Sequence, residues 1–249
     1  MNELTETPAA ATALVVCNDA QDQRLISESL QPLAIRAEIC GEVFAAARLL
    51  DRQKFEAVIV DLRLGEGALL VMEQLRFSRA NRTAVTFAIT AGNEGPTPGI
   101  KLDSTFVLPR PLSAAVINQT LRAAYGLVVR ERRRYFRCPV TVSAFVRSRE
   151  PEEFLCQTVN ISEGGVAISA RTMLDPTLAK AVRFSLPDRS SQIFSKTRVC
   201  WSGQGGLVGL EFQSLASAQR SELQEWLARK LDETLPENVA ALFRSVSQS

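Results

Sequence analysis

The segments RERRRYFRCPVTVSAFVRS (130–148) and FLCQTVNISEGGVAISA (154–170) decide how this chain is read. Upstream of them, from Ser113 to about Val129, the apolar residues Val116, Ile117, Leu121, Ala124, Leu127 and Val128 recur mostly at helical spacing. From Cys138 onward the pattern becomes that of strands. The runs PVTVSAFVRS (139–148), FLCQTVNIS (154–162), GGVAISA (164–170), AVRFSLP (181–187), IFSKTRVCWSG (193–203) and LVGLEF (207–212) are short and rich in Val, Phe and Ile. Gly, Pro, Asp and Ser separate them. Several short strands at this spacing predict a barrel or sandwich. A helix is expected next, with Leu223, Trp226, Leu227 and Leu231 on one face. Pro236 ends or restarts it before a last amphipathic piece with Val239, Leu242 and Phe243.

Charge picks out one place on this β framework. Residues 1–127 carry 12 basic and 14 acidic side chains, and residues 128–249 carry 17 and 13. Five Arg and one Glu between Arg130 and Arg137 account for the whole surplus of the second half. One dense cluster suits a compact anion better than a diffuse nucleic-acid surface would. Guanidinium groups can fork onto phosphate oxygens or guanine O6 and N7, and can stack on a base. Asn160 offers a donor and an acceptor, Ser162 a hydroxyl, and Gly164 and Gly165 are expected to allow positive φ and close backbone approach. Taken singly, the arginines read as a solvated charge run and Asn160–Gly165 as an ordinary hairpin turn. Trp201, Phe184 and Phe212 read as core, and Tyr135 and Phe136 as anchors for the arginine segment.

Together, in this order and spacing, the two motifs resemble those of the PilZ domain. Arg133 and Arg137, preceded by Arg132, match that family's RxxxR, and Asn160-x-Ser162-x-x-Gly165 matches its [D/N]xSxxG. The resemblance covers about 130–232. It implies a β-barrel with a C-terminal helix that binds the bacterial second messenger cyclic di-GMP through Arg132, Arg133, Arg137, Asn160, Ser162, Gly164 and Gly165.

The first half alternates between strands and helices. Strands are predicted at ALVVC (13–17), AEIC (37–40), AVIV (57–60), TFAIT (86–90) and TFVLP (105–109). Helices are predicted at 21–31, 42–52, around 67–78, and after an N-cap at Ser113. This is the pattern of a flavodoxin-like (βα)5 sheet, whose site lies at the carboxyl ends of the strands. Asp61 ending the third strand, Thr90-Ala91 ending the fourth and Arg110-Pro111 after the fifth resemble a response-regulator receiver domain of a two-component system. The acidic pair that such a domain carries after its first strand is replaced by Cys17 and Asn18, with Asp19 one place late, and its lysine by Arg110. Mg²⁺ wants several hard oxygen ligands. A pseudo-receiver is therefore expected, with Asp61 a degenerate phospho-acceptor position.

The remaining composition narrows the function. The chain has no histidine, which removes the usual general base and metal ligand. Five cysteines without CxxC spacing signal neither zinc nor disulfides. Neither a signal peptide nor a membrane span is read, and no helix-turn-helix speaks for DNA. The expectation is a cytoplasmic, non-enzymatic signal-transduction protein without cofactor or metal. It has a receiver-like domain at 12–127 and a PilZ domain with helical extension at 128–249. Cyclic di-GMP is expected to change the interdomain arrangement and the binding of an unidentified protein partner. The alternative is a phosphorylation-driven regulator using Asp61, with the barrel as output. The tail beyond Leu231 is read as packing on either domain or forming a homodimer.

Overall fold

The structure, a computed structural model, describes residues 11–91, 105–148, 153–169, 179–189 and 191–241. The chain divides into two compact units, one of Met1–Arg132 with Leu235–Ser249 and one of Arg133–Thr234.

The first unit runs β1 (Ala11–Val16), α1 (Ala20–Leu30), β2 (Ile35–Cys40), α2 (Val43–Arg52), β3 (Ala57–Asp61), α3 (Glu66–Phe77), β4 (Val85–Thr90) and β5 (Thr105–Pro109), then α4 (Ala114–Tyr135). Its five strands are parallel in the order β2-β1-β3-β4-β5, the flavodoxin-like arrangement expected. The apolar runs of β1 and β3 are buried along nearly their whole length, as parallel strands covered on both faces must be. Register sets Asp61 beside Ile89 and Thr90 beside Pro109, so Asp61 lies at the carboxyl edge of the sheet. The connection from β4 to β5 lies outside the described residues.

Ser113 caps α4 as expected, its Oγ accepting from Val116 N at 3.3 Å. The helix then passes through Gly126 and continues to Tyr135, so Arg130, Arg132, Arg133 and Arg134 sit on it. The sequence pattern carries the helix only to about Val129 and reads the arginines beyond it, taken singly, as a solvated charge run. Two facts explain the difference. Arginine is a good helix former, and this turn is tied down by the first unit's own acids and bases. Glu131 is buried and accepts from Lys54 Nζ and Thr83 Oγ1, each at 2.6 Å. Arg132 pairs with buried Glu56 at 3.6 Å, and Glu56 also accepts from Thr12 N at 2.8 Å.

The second unit contains β6 (Cys138–Pro139), β7 (Ser143–Arg147), β8 (Glu153–Ser162), β9 (Gly165–Ser169), β10 (Ala181–Ser185), β11 (Gln192–Ser202), β12 (Leu207–Ser214) and α5 (Ser217–Thr234). Six strands pair in the order β8-β7-β10-β11-β12-β9, and β9 pairs back with β8, closing a barrel to which β6 adds a short edge on β8. Alternation sends Val146, Ile161, Ile168, Phe184, Ile193 and Leu210 inward. Helix α5 buries Leu223, Trp226, Leu227 and Leu231, the face read from the sequence. Beyond it, Val239 N and Ala240 N both donate to Pro236 O, so the proline restarts a helical turn. Leu242 and Phe243 lie outside the described residues. No described helix is long and apolar enough to cross a membrane.

Candidate functional site

The β8–β9 turn is the centre of the candidate site. Ser162 faces Gly165 across the hairpin, and its buried Oγ donates to Gly165 O at 3.1 Å. Gly164 O accepts from Phe212 N at 2.9 Å, tying the turn to β12. A Cβ on Gly165 would lie 2.2 Å from Leu210 O, so only glycine lets β9 approach β12 here. The expected positive φ is not used: neither Gly164 nor Gly165 is among the residues with left-handed backbone, and close approach alone explains Gly165.

This turn forms one wall of a cavity of about 420 Å³ in the second unit. Arg134, Tyr135 and Arg137 contribute from the end of α4 and the start of the barrel. Residues 162–166, Cys200, Trp201, residues 209–211 and Arg220 of α5 complete the lining. Of the residues expected to bind ligand, Arg137, Ser162, Gly164 and Gly165 therefore meet at one cavity. Arg132, Arg133 and Asn160 are not among its lining residues. Asn160 sits opposite Pro139, and its Oδ1 is buried without a hydrogen-bond partner. An orphaned buried acceptor of this kind costs about 1–3 kcal/mol, which a ligand donor would recover.

Trp201 is not core. It is 47% exposed, whereas Phe184 is buried and stacks with Phe212 at a centroid separation of 6.3 Å. The indole lies flat on the backbone of its register partner Gly209: a Cβ there would stand 2.1 Å from Trp201 Nε1. One ring face is thus backed by main chain, and the ring borders the cavity. Only knowledge of the β11–β12 register, which is broken by a bulge between Val199 and Trp201, could have revealed this pairing. Arg134 and Arg220 were missed for a similar reason, since α4 and α5 bring them to the cavity from outside both motifs. The lining holds four arginine or tyrosine donors against Glu163 and Glu211. Glu211 is already paired with Arg198, whose Nε donates at 2.9 Å. The cavity is therefore cationic and suits an anion.

A second cluster lies at the carboxyl edge of the first unit's sheet. Asp61 is fully buried. Its Oδ1 accepts from Arg63 N at 3.0 Å, and its Oδ2 accepts from Arg63 Nη2 at 3.0 Å and Arg110 Nη2 at 2.9 Å. Burial alone would raise the Asp61 carboxyl, but the Arg63 hydrogen bonds and the Arg110 charge outweigh it and hold it below its ordinary value. Burial pushes the Cys17 thiol up, and its Sγ lies 3.6 Å from Asp61 Oδ2. Asp19 does not act as a displaced metal acid. Its Oδ1 accepts from Gln21 N and Asp22 N and so caps α1. The acid that reaches Asp61 is Asp22, one helical turn further on, which the sequence reading missed. Cys17, Asp22 and Asp61 gather within 4.8 Å. One of the three is a thiol, and both carboxylates already hold guanidinium groups. The set does not fit Mg²⁺.

Residues 131–229 match the family model of the PilZ domain. This part of the chain is a PilZ domain. It takes in the last turn of α4, the whole barrel and most of α5. Among solved structures, the receiver domain of a sensor histidine kinase from Pseudomonas aeruginosa PAO1, with a magnesium ion coordinated in its active-site cleft, is 22% identical. The match covers 47% of this chain and 98% of that one at a TM-score of 0.40. The chemotaxis response regulator CheY4 of Vibrio cholerae is 16% identical over 45% of this chain and 97% of its own, at a TM-score of 0.41. The inhibitor of motility from Bacillus subtilis is 19% identical over 41% of this chain and 52% of its own, at a TM-score of 0.34. No curated protein matches the chain.

Proposed function

We propose that the protein is a cytoplasmic, non-enzymatic effector that binds cyclic di-GMP in the PilZ cavity and relays occupancy to a protein partner. The observation that carries this reading is the meeting of both sequence motifs at one cationic cavity: Arg137 from the first, and Ser162, Gly164 and Gly165 from the second. Arg137 and Arg134 supply forks for the phosphates or for guanine O6 and N7. The orphaned Asn160 Oδ1 accepts from a guanine edge, and the exposed face of Trp201 gives a base a surface on which to stack.

The first motif begins on α4 and ends at the barrel, so the ligand acts where the two units are joined in sequence. Cyclic di-GMP draws Arg132 and Arg133 toward the barrel, with Arg132 exchanging Glu56 for a phosphate. The interdomain arrangement shifts by as much as the ligand favours one state over the other. Calorimetric titration with cyclic di-GMP is expected to show binding in the low micromolar range or tighter, lost in Arg133→Ala and Ser162→Ala. Heat unchanged in both variants would overturn the site. Small-angle scattering that is identical with and without saturating ligand would overturn the relay but leave the binding.

A further inference from the structure

We propose that Arg63 is a built-in substitute for a divalent cation, so that the first unit holds its carboxylate cluster in one metal-independent charge state. Arg63 Nη2 stands 3.0 Å from Asp61 Oδ2, 3.4 Å from Asp22 Oδ2 and 3.6 Å from Asp19 Oδ2. A single positive centre facing three carboxylate oxygens occupies the place that a hard cation takes among such ligands.

The local sequence makes this substitution persistent. Arg63 follows Asp61 by two residues, and its own backbone N–H also donates to Asp61 Oδ1. The side chain therefore closes a chelate on a carboxylate whose position the turn already fixes. Arg110 completes the balance from β5's end, pairing with both Asp22 and Asp61. Two guanidinium groups thus supply the two positive charges that buried Asp61 and Asp22 require; unpaired, such charges would be strongly destabilising. Both Asp61 oxygens are engaged by donors. The inference stands apart from the cyclic di-GMP reading, since no residue is shared.

Removing the guanidinium should uncover a site. Without Arg63, the carboxylates of Asp19, Asp22 and Asp61 are left with Arg110 alone, one positive charge among three acids, and Mg²⁺ or Mn²⁺ would make up the deficit. The test is an electron paramagnetic resonance titration of the full chain with Mn²⁺. Arg63→Ala is expected to gain one Mn²⁺ site at least about tenfold tighter than any in the wild type, and to lose it when combined with Asp61→Asn. Arg63→Lys, which keeps the positive charge, is expected to behave as the wild type. Stoichiometric Mn²⁺ binding by the wild type that Asp61→Asn abolishes would overturn the proposal. So would a folded Arg63→Ala that binds no more tightly than wild type. If Arg63→Ala does not fold, the wild type decides alone. A melting temperature unmoved by millimolar Mg²⁺ supports the substitution, and an Asp61-dependent rise contradicts it.

Discussion

At the scale of single residues, close approach and burial decide more than charge does. Gly165 is fixed by the carbonyl of Leu210, 2.2 Å from where a Cβ would stand. Gly165→Ala is expected to force β9 from β12 and cost about 1–3 kcal/mol, read as a lower urea midpoint at unchanged slope. It should also weaken ligand binding, because Ser162 Oγ is held by that same residue's carbonyl. Tyr125 gives a test of burial in the first unit. Its hydroxyl donates to Leu33 O at 3.2 Å, and burial raises its pKa from 10.0 to about 12. A raised folded pKa means that the proton stabilises the folded state fully below pH 10.0 and that this contribution is lost as pH climbs toward about 12. Wild-type stability is therefore expected to fall through that window, and the fall should be shallower in Tyr125→Phe. Melting curves taken across alkaline pH check it.

At the scale of elements, α4 is the part that the sequence described least well. Apolar runs announced β1 and β3 because a parallel strand buried on both faces has nothing but apolar side chains to show, whereas the edge strands β2 and β5 keep exposed residues and were legible from the alternation of strands and helices. The barrel strands and the inward face of α5 were legible for the matching reason, alternation and helical spacing. The end of α4 was not. Arg130 to Arg134 are as compatible with a solvated segment as with a helix, and what settles the matter is Glu131 meeting Lys54 and Thr83 far away in sequence. The same limit applied to the sites. Both ligand motifs were readable as local patterns, whereas Trp201 on Gly209 and Asp22 beside Asp61 depend on register and helix phase. Glu131→Ala removes the buried acid to which both Lys54 Nζ and Thr83 Oγ1 donate. It is expected to destabilise the first unit by about 3 kcal/mol while the PilZ barrel keeps its own transition, which calorimetric unfolding would resolve.

At the scale of the whole molecule, two units carry two charged clusters with opposite relations to their surroundings. Around Asp61 every charge is answered from within the chain, and the cluster is closed. Around Ser162 the lining is cationic, bordered by an exposed indole and near an unsatisfied buried acceptor, and it calls for an anionic ligand with stacking bases. Under the proposed function, the PilZ domain takes the input. The chain also supplies its own reporter, because its two tryptophans differ: Trp226 is fully buried in α5 and Trp201 borders the cavity. The most direct measurement is tryptophan emission of the full chain during titration with cyclic di-GMP, beside Trp201→Phe and Arg137→Ala. A saturable change at micromolar ligand, silenced in Trp201→Phe and shifted to much higher concentration in Arg137→Ala, is the expected result. No saturable change in the folded wild type, or one that persists unaltered in both variants, would contradict binding at this cavity.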